Sequence, residues 1–261
     1  MQPKTILYDK SGGVGTITLN RTSKLNALNF EMLDELWALL QDIMVDSEIR
    51  VAVFTGAGRY FSAGADLEIL EGLTPATFRT AQQKYWNRVF NEIEDIPKLT
   101  IAALNGPAIG GGLELALCCD LRYSVDDATF KTPQIDFGLI PDAGATFRLP
   151  LLMGLARAKE FILSGESMSA REAEALGLVN RVLPRETFQG EIQRIAEKMA
   201  KKPPLALGIG KKIINRGFHR GDIRSSLEDA MDAQSILIVT EDYQEGIKAF
   251  REKRHPVFRG K

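Results

Sequence analysis

The sequence predicts an α/β protein with largely parallel strand pairing, followed by a helical carboxyl-terminal part. Three observations carry this. Short apolar runs such as Val51-Ala52-Val53-Phe54 and Leu99–Leu104 have the length and β-branched content of buried strands. Segments of helical periodicity alternate with them, the arrangement that covers both faces of a parallel sheet. After Ala156 the strand signals thin out and the periodicity becomes mainly helical.

Residues 4–8 and 14–19 read as two strands joined through Gly12-Gly13, a hairpin signal. Asn29 is placed to cap a helix carrying Phe30, Leu33, Leu36, Trp37 and Leu40 at helical spacing. The strand at 51–54 ends in Thr-Gly-Ala-Gly, and a glycine-broken stretch over 56–72 leads to a helix over 75–95, stopped near Pro97. The strand at 99–104 ends in Asn105-Gly106-Pro107. Gly110-Gly111-Gly112 then opens a helix to about 119, and Leu121–Val125 is again a strand. Further helices are expected over 156–163, 169–176, 185–201, 204–216 and 222–250. The chain therefore divides near residue 200 into an α/β core, 1–200, and a helical region, 201–261.

Composition limits the chemistry. The 261 residues carry 33 basic and 34 acidic side chains, a net charge of −1, which disfavours nucleic acid as an obligatory partner. No long uncharged apolar run marks a membrane span. The opening MQPKTILYDK lacks a signal core, and Arg259-Gly260-Lys261 is neither a peroxisomal nor a prenylation signal, so a cytoplasmic protein is expected. Cys118 and Cys119 are adjacent and read as packed small hydrophobes; no further ligand stands at zinc spacing, so no metal site is expected. The two histidines, His219 and His255, have no G-x-S-x-G elbow to accompany them. Carboxylates and backbone dipoles are left to carry any catalysis.

Four segments are candidates. Phe61-Ser62-Ala63-Gly64-Ala65-Asp66-Leu67 and Asn105–Leu117 are small-residue loops following buried strands, where open α/β sheets bind ligands. One N–H from each would make an oxyanion hole, the second at a helix amino terminus where the dipole favours negative charge. Tight structural turns explain the same glycines equally well. A nucleotide cradle does not fit, because Gly56-Ala57-Gly58 lacks the third glycine of a dinucleotide fingerprint and Gly210-Lys211 the first of a P-loop. Glu114 stands in an otherwise apolar helix start, either as a carboxyl that desolvation pushes toward a useful acid/base range, the favoured reading, or as one that merely accepts backbone N–H bonds in the first helical turn. In the third segment, Thr132–Leu149, Asp142 reads as a helix cap or a carboxylate at a pocket wall. Asp136, alternating with Ile135 and Phe137, reads as a solvent-facing strand position, and Arg148 as an ion-pair partner. The fourth is the tail Phe250–Phe258, read as a charged helix end stopped by Pro256, or as cations that meet a phosphate-bearing ligand together with Lys24. Tyr85, Trp86, Phe90 and Phe137 are available either as core or as walls of an apolar pocket.

Together these segments resemble the crotonase, or enoyl-CoA hydratase/isomerase, superfamily. The pieces are Lys24-Leu-Asn-Ala-Leu, Phe-Ser-Ala-Gly-Ala-Asp-Leu, Asn-Gly-Pro-Ala-Ile-Gly-Gly-Gly-Leu-Glu-Leu-Ala, Gly-Leu-Ile-Pro-Asp-Ala-Gly and Phe-Arg-Glu-Lys-Arg-His-Pro-Val-Phe. They occur in family order over nearly the whole chain. The resemblance implies a crotonase (ClpP-like) spiral of ββα units with a helical carboxyl-terminal region that trimerises, often as a dimer of trimers. It implies an acyl-CoA thioester substrate with no separate cofactor and no metal. By position, Ala65 and Gly111 supply the oxyanion N–H groups and Glu114 an acid/base carboxylate. Ala63, Asp66 and Leu67 fall along the CoA groove, with Lys24 and Lys253 near the CoA phosphates.

One departure matters. Hydratases of the family use two glutamates, and the second position here is Gln134, an amide that takes no proton. The Pro141-Asp142 loop is similar to the branch containing the ring-type isomerase of phenylacetate degradation, which makes Asp142 the replacement carboxylate. The implied reaction is double-bond migration in an enoyl-CoA. Hydration of trans-2-enoyl-CoA is the alternative, and a non-catalytic CoA-ester- or RNA-binding role is a second.

Overall fold

The computed structural model describes residues 5–261, without the side chains at 219 and 220. Strands β1 (Ile6–Ser11) and β2 (Val14–Leu19) form the expected antiparallel hairpin, with Ser11 opposite Val14. Helix α1 (Phe30–Val45) follows; Asn29 caps it by accepting from the Met32 N–H at 3.0 Å, and it buries Met32, Leu33, Leu36, Leu40 and Ile43. Strand β3 (Val51–Gly56) is buried along Val51–Phe54, as its unbroken apolar run requires.

The next helical stretch is interrupted. Helix α2 (Pro75–Ala81) and α3 (Arg88–Asp95) are joined without a break by a π-helical turn, Gln82–Asn87. Then come β4 (Leu99–Leu104), the short β5 (Ala108–Ile109), helix α4 (Gly111–Leu117), β6 (Leu121–Val125) and β7 (Thr129–Lys131). Residues Pro133–Phe137 form a 3-10 turn, so Asp136 is not on a strand; it is exposed there and pairs with Lys131 at 3.1 Å. Pro133 in the first turn and Gly138, left-handed at φ 70°, bound that turn and rule out the pleat that alternation implied.

Helices α5 (Ala145–Met153) and α6 (Leu155–Ser164), strand β8 (Met168–Ser169), helix α7 (Ala170–Ala175), strand β9 (Arg181–Leu183) and helix α8 (Phe188–Ala200) complete the part before residue 201. Helix α9 (Pro204–Arg220) follows. The helix expected over 222–250 is two, α10 (Ile223–Leu237) and α11 (Glu241–Glu252). The β-branched Ile238-Val239-Thr240 interrupts them, and Thr240 caps the second by accepting from the Tyr243 N–H.

The main sheet has the order β1-β2-β3-β4-β6-β9, parallel from β2 onward, and β5-β7-β8 form a second, smaller sheet. Successive residues of β2 and β3 alternate between faces. Ile17, Leu19 and Phe54 are fully buried, whereas Thr16, Thr18 and Thr55 face a cleft beside α8. The loops leaving β3 and β4 meet where single bridges join Leu28 to Ala65 and Ser62 to Ala108.

Candidate active site

The bridge at Leu28 decides where Ala65 points. Leu28 donates to Gly64 O and accepts from Asp66 N, so the N–H of Ala65, between them, faces the other way. On the neighbouring loop Gly110 donates to Lys131 O, and Gly111 begins α4 with an N–H that has no intrahelical acceptor. Neither the Ala65 nor the Gly111 amide meets an acceptor among the described residues. The loops are in contact: a Cβ added to Gly64 would lie 3.2 Å from Gly111 N, and one added to Gly111 would lie 3.5 Å from Ala65 N. The two positions that the resemblance pairs are thus neighbours in the fold.

Ala65, Gly111, Glu114 and Asp142 all line one cavity of about 370 Å³. Its remaining wall is mainly apolar, from Phe30 on α1, Ile69, Leu70 and Leu73 after the 65–67 loop, Phe78 and Trp86 on the interrupted helix, and Leu139-Ile140. Of the four aromatics singled out in the sequence, only Trp86 lines this cavity. Phe90 is core, packed edge-on against Trp86; Tyr85 stacks on Phe30 from behind; Phe137 is exposed. Phe30 and Phe78 were not distinguishable in the sequence from ordinary helix-face residues.

Glu114 is 1% exposed. Its Oε1 accepts from the N–H groups of Ala143 (2.9 Å) and Ala145 (3.1 Å), and its Oε2 accepts from Gln134 Nε2 (3.3 Å). Burial pushes its pKa up to about 7, with the nearby Asp142 charge adding to the rise; the two amides and the more distant Arg148 oppose it. Gln134 Oε1 is buried with no donor among the described residues. Asp142 is not the cap of α5, where Gly144 stands; it keeps part of its side chain open at the cavity mouth. Even so, the protein around its carboxyl raises its pKa by desolvation. Gln82 holds this loop from the π-helical turn, donating to Asp142 O at 3.3 Å. Cys118, at the end of α4, is a buried thiol whose pKa burial pushes up to about 12, in keeping with its reading as a packed small hydrophobe.

The remaining candidates lie outside the cavity lining. The buried Asp66 carboxylate is turned inward, pairing with Arg21 at 2.8 Å and accepting from the Glu68 N–H. Ala63 donates its N–H to Leu25 O, and Leu67 is 60% exposed. Lys24 is exposed and paired with Glu68 at 2.8 Å. Lys253 ends α11 in a left-handed conformation and is exposed. Beside it Arg254 is forked onto Glu245 at 2.6 and 2.8 Å, an ionic clamp that folds the tail back on α11. His255 is exposed on that tail, and His219 lies outside the described side chains.

A parallel-rich α/β body thus holds two free amides and a buried carboxylate around one mainly apolar cavity, with no metal-holding cluster among the described residues. Residues 9–261 match the family model for enoyl-CoA hydratase/isomerase, and the chain belongs to this family of acyl-CoA enzymes, the crotonase superfamily. It is 36% identical over 258 residues to the short-chain-enoyl-CoA hydratase of Clostridium acetobutylicum, covering 97% of each chain. It is 38% identical over 257 residues to the 2,3-dehydroadipyl-CoA hydratase of Escherichia coli, covering 98% of this chain and 99% of that one. Among solved structures, an enoyl-CoA hydratase from Bacillus anthracis superposes with a TM-score of 0.95 at 37% identity, over 99% of this chain and 100% of the other. The fold is the crotonase fold, as the resemblance implied.

Proposed function

We propose that this enzyme moves a carbon–carbon double bond within an enoyl-CoA, with the thioester oxygen held by the amides of Ala65 and Gly111. The observation that carries the reading is the placement of the two carboxyls. Position 134 offers only an amide, and the second carboxyl beside Glu114 in the cavity belongs to Asp142. Asp142 takes a proton from C2 of a 3-enoyl-CoA, and the electron pair passes to the thioester oxygen as a dienolate. Two preorganised N–H donors stabilise that oxygen, each worth about 3 kcal/mol in comparable sites. Asp142 then returns the proton at C4, giving the conjugated 2-enoyl product. Glu114 assists by remaining protonated, so that a single negative charge occupies the apolar cavity during the transfer.

Hydration of trans-2-enoyl-CoA is the second reading. It is favoured by the relatives named hydratases, and by Glu114, whose ionised form would act as base toward water. Incubation with 3-enoyl-CoA and with trans-2-enoyl-CoA in deuterium oxide, followed by mass, separates the two. Migration of the double bond supports isomerisation, with little deuterium at C4 if Asp142 returns the proton it took; 3-hydroxyacyl-CoA as the main product, without migration, overturns it. Full turnover in Asp142→Asn would remove Asp142 from the mechanism.

In this reading Ala63, Asp66 and Leu67 border the CoA groove through their main chain, and Lys24 and Lys253 face its phosphates. A cytoplasmic homotrimer or dimer of trimers belongs to the same proposal. The exposed apolar stripe Ile223, Leu227 and Met231 on α10, spaced for one helix face, supports an oligomer that covers it.

A further inference from the structure

Glu114 takes two of its hydrogen bonds from a turn that the Arg148 side chain also grips. Ala143 and Ala145 both donate to Oε1 of Glu114, and between them Gly144 sits at φ 113°. The guanidinium of Arg148 fills the space over that glycine: a Cβ at 144 would lie 1.8 Å from Nη1. From there Nη1 donates to Ala143 O at 3.2 Å, while Nη2 pairs with Glu94 on α3. Arg148 is therefore locked from both sides, with 16% of its side chain exposed.

We infer that Arg148, braced by Glu94, is a positioning residue for Glu114, its guanidinium clamping the Ala143–Gly144 turn so that two amides stay on one carboxylate oxygen. The inference rests on the proposed role of Glu114 but not on which of the two reactions the enzyme runs. Arg148 never touches the cavity; it acts through the turn and through its charge. The charged or titratable groups facing Glu114 are Asp142 at the cavity wall, Arg148 on α5 and the neutral Cys118 thiol on α4 itself. The 3-10 turn contributes the uncharged Gln134 amide, its Asp136 being paired outward with Lys131. Among these, Arg148 is the cation that favours ionised Glu114.

The test compares Arg148→Met, Arg148→Lys and Glu114→Gln across pH with an enoyl-CoA substrate. In Arg148→Met, kcat falls on the order of tenfold or more while KM stays within about twofold. The limb of the pH–rate profile that disappears in Glu114→Gln moves upward by roughly half a unit or more. Arg148→Lys keeps the charge without the fork, so its kcat also falls but its limb moves less. A folded Arg148→Met variant with the wild-type limb, or an activity loss matched by its unfolded fraction, overturns the inference. If Arg148→Met does not fold, Arg148→Lys decides alone: wild-type kcat overturns, a lowered kcat at wild-type KM supports. A pH–rate profile left unchanged in Glu114→Gln would instead defeat the assignment of Glu114 on which the brace depends.

Discussion

The indole of Trp86 lies so close to Gly111 that a Cβ at position 111 would stand 2.8 Å from its Cζ3 atom. One side of the cavity is therefore built by a helix amino terminus and an aromatic ring in direct contact. A side chain at 111 must displace either the ring or the start of α4.

Gly111→Ala accordingly lowers kcat/KM on the order of a hundredfold, because it displaces the amide proposed to hold the thioester oxygen. The stability cost is about 1–3 kcal/mol, as for other overpacked sites. Steady-state kinetics beside thermal melts check this; a loss of stability without the kinetic loss would show that the ring, not the amide, yields.

The pH dependence carries a sign that separates the two reactions. Burial pushes the Glu114 carboxyl up to about 7, from an ordinary value of 4.5. Isomerisation assisted by its neutral form slows as pH rises through that value, whereas hydration using its carboxylate accelerates. The same raised pKa makes a stability statement. Folded chains bind the extra proton between those two values, so its contribution is complete below about 4.5 and lost as pH rises to about 7. Glu114→Gln removes that loss and is more stable than the wild type above neutrality by up to a few kcal/mol. In that variant Gln134 turns its amide over, and its orphan Oε1 accepts from the new NH2 group. Denaturant unfolding at pH 5 and 8 measures the difference.

Asp66→Asn strikes the loop that carries Ala65. Burial alone would raise the Asp66 pKa, but the bonds from Arg21 and the Glu68 amide outweigh it and hold the carboxyl below its usual range. The pair thus stabilises at neutral pH, and its contribution fades as pH falls through that lowered value. Removing the charge leaves Arg21 partly buried without its partner, at a cost of about 3 kcal/mol, or roughly 5 °C in Tm. The difference between variant and wild type narrows in acid, which thermal melts over a pH series reveal.

The exposed Lys24 ammonium is already paired with Glu68. Glu68→Gln frees it and lowers KM for a CoA thioester by about twofold at low ionic strength, with kcat unchanged. Lys24→Ala raises KM, and both effects vanish at high salt. An identical KM in all three proteins would take Lys24 out of the CoA site.

What the sequence revealed depended on whether a residue's role was local. The Asn29 cap, the hairpin and the buried strands follow from neighbours a few positions apart, and the loops of Ala65 and Gly111 announced themselves through small residues after apolar runs. The resemblance put Asp66 at a ligand groove, but its pairing with Arg21, 45 positions away, left no mark in the sequence. Asp142 and Glu114 were visible as carboxyls in apolar company; that Ala143 and Ala145 both serve Glu114 was not, since backbone donors leave no mark on residue type. The tail cations suggested phosphate contact, yet Arg254 is committed to Glu245 through a fold of the chain that composition does not encode. Asp136 was misplaced because a proline-started 3-10 turn happens to alternate like a strand.

The π-helical turn at Gln82–Asn87 has a consequence for how this cavity changes over generations. Such a turn takes up one residue more than an α-helix would over nearly the same rotation, so the segments before and after it keep their phase. The surplus is absorbed where Gln82 reaches the Asp142 loop and Trp86 reaches Gly111. Deleting one residue there would restore continuous α hydrogen bonding and change only which side chains between 82 and 87 face the cavity. That wall can thus be altered by a single codon gained or lost, without one substitution at Ala65, Gly111, Glu114 or Asp142.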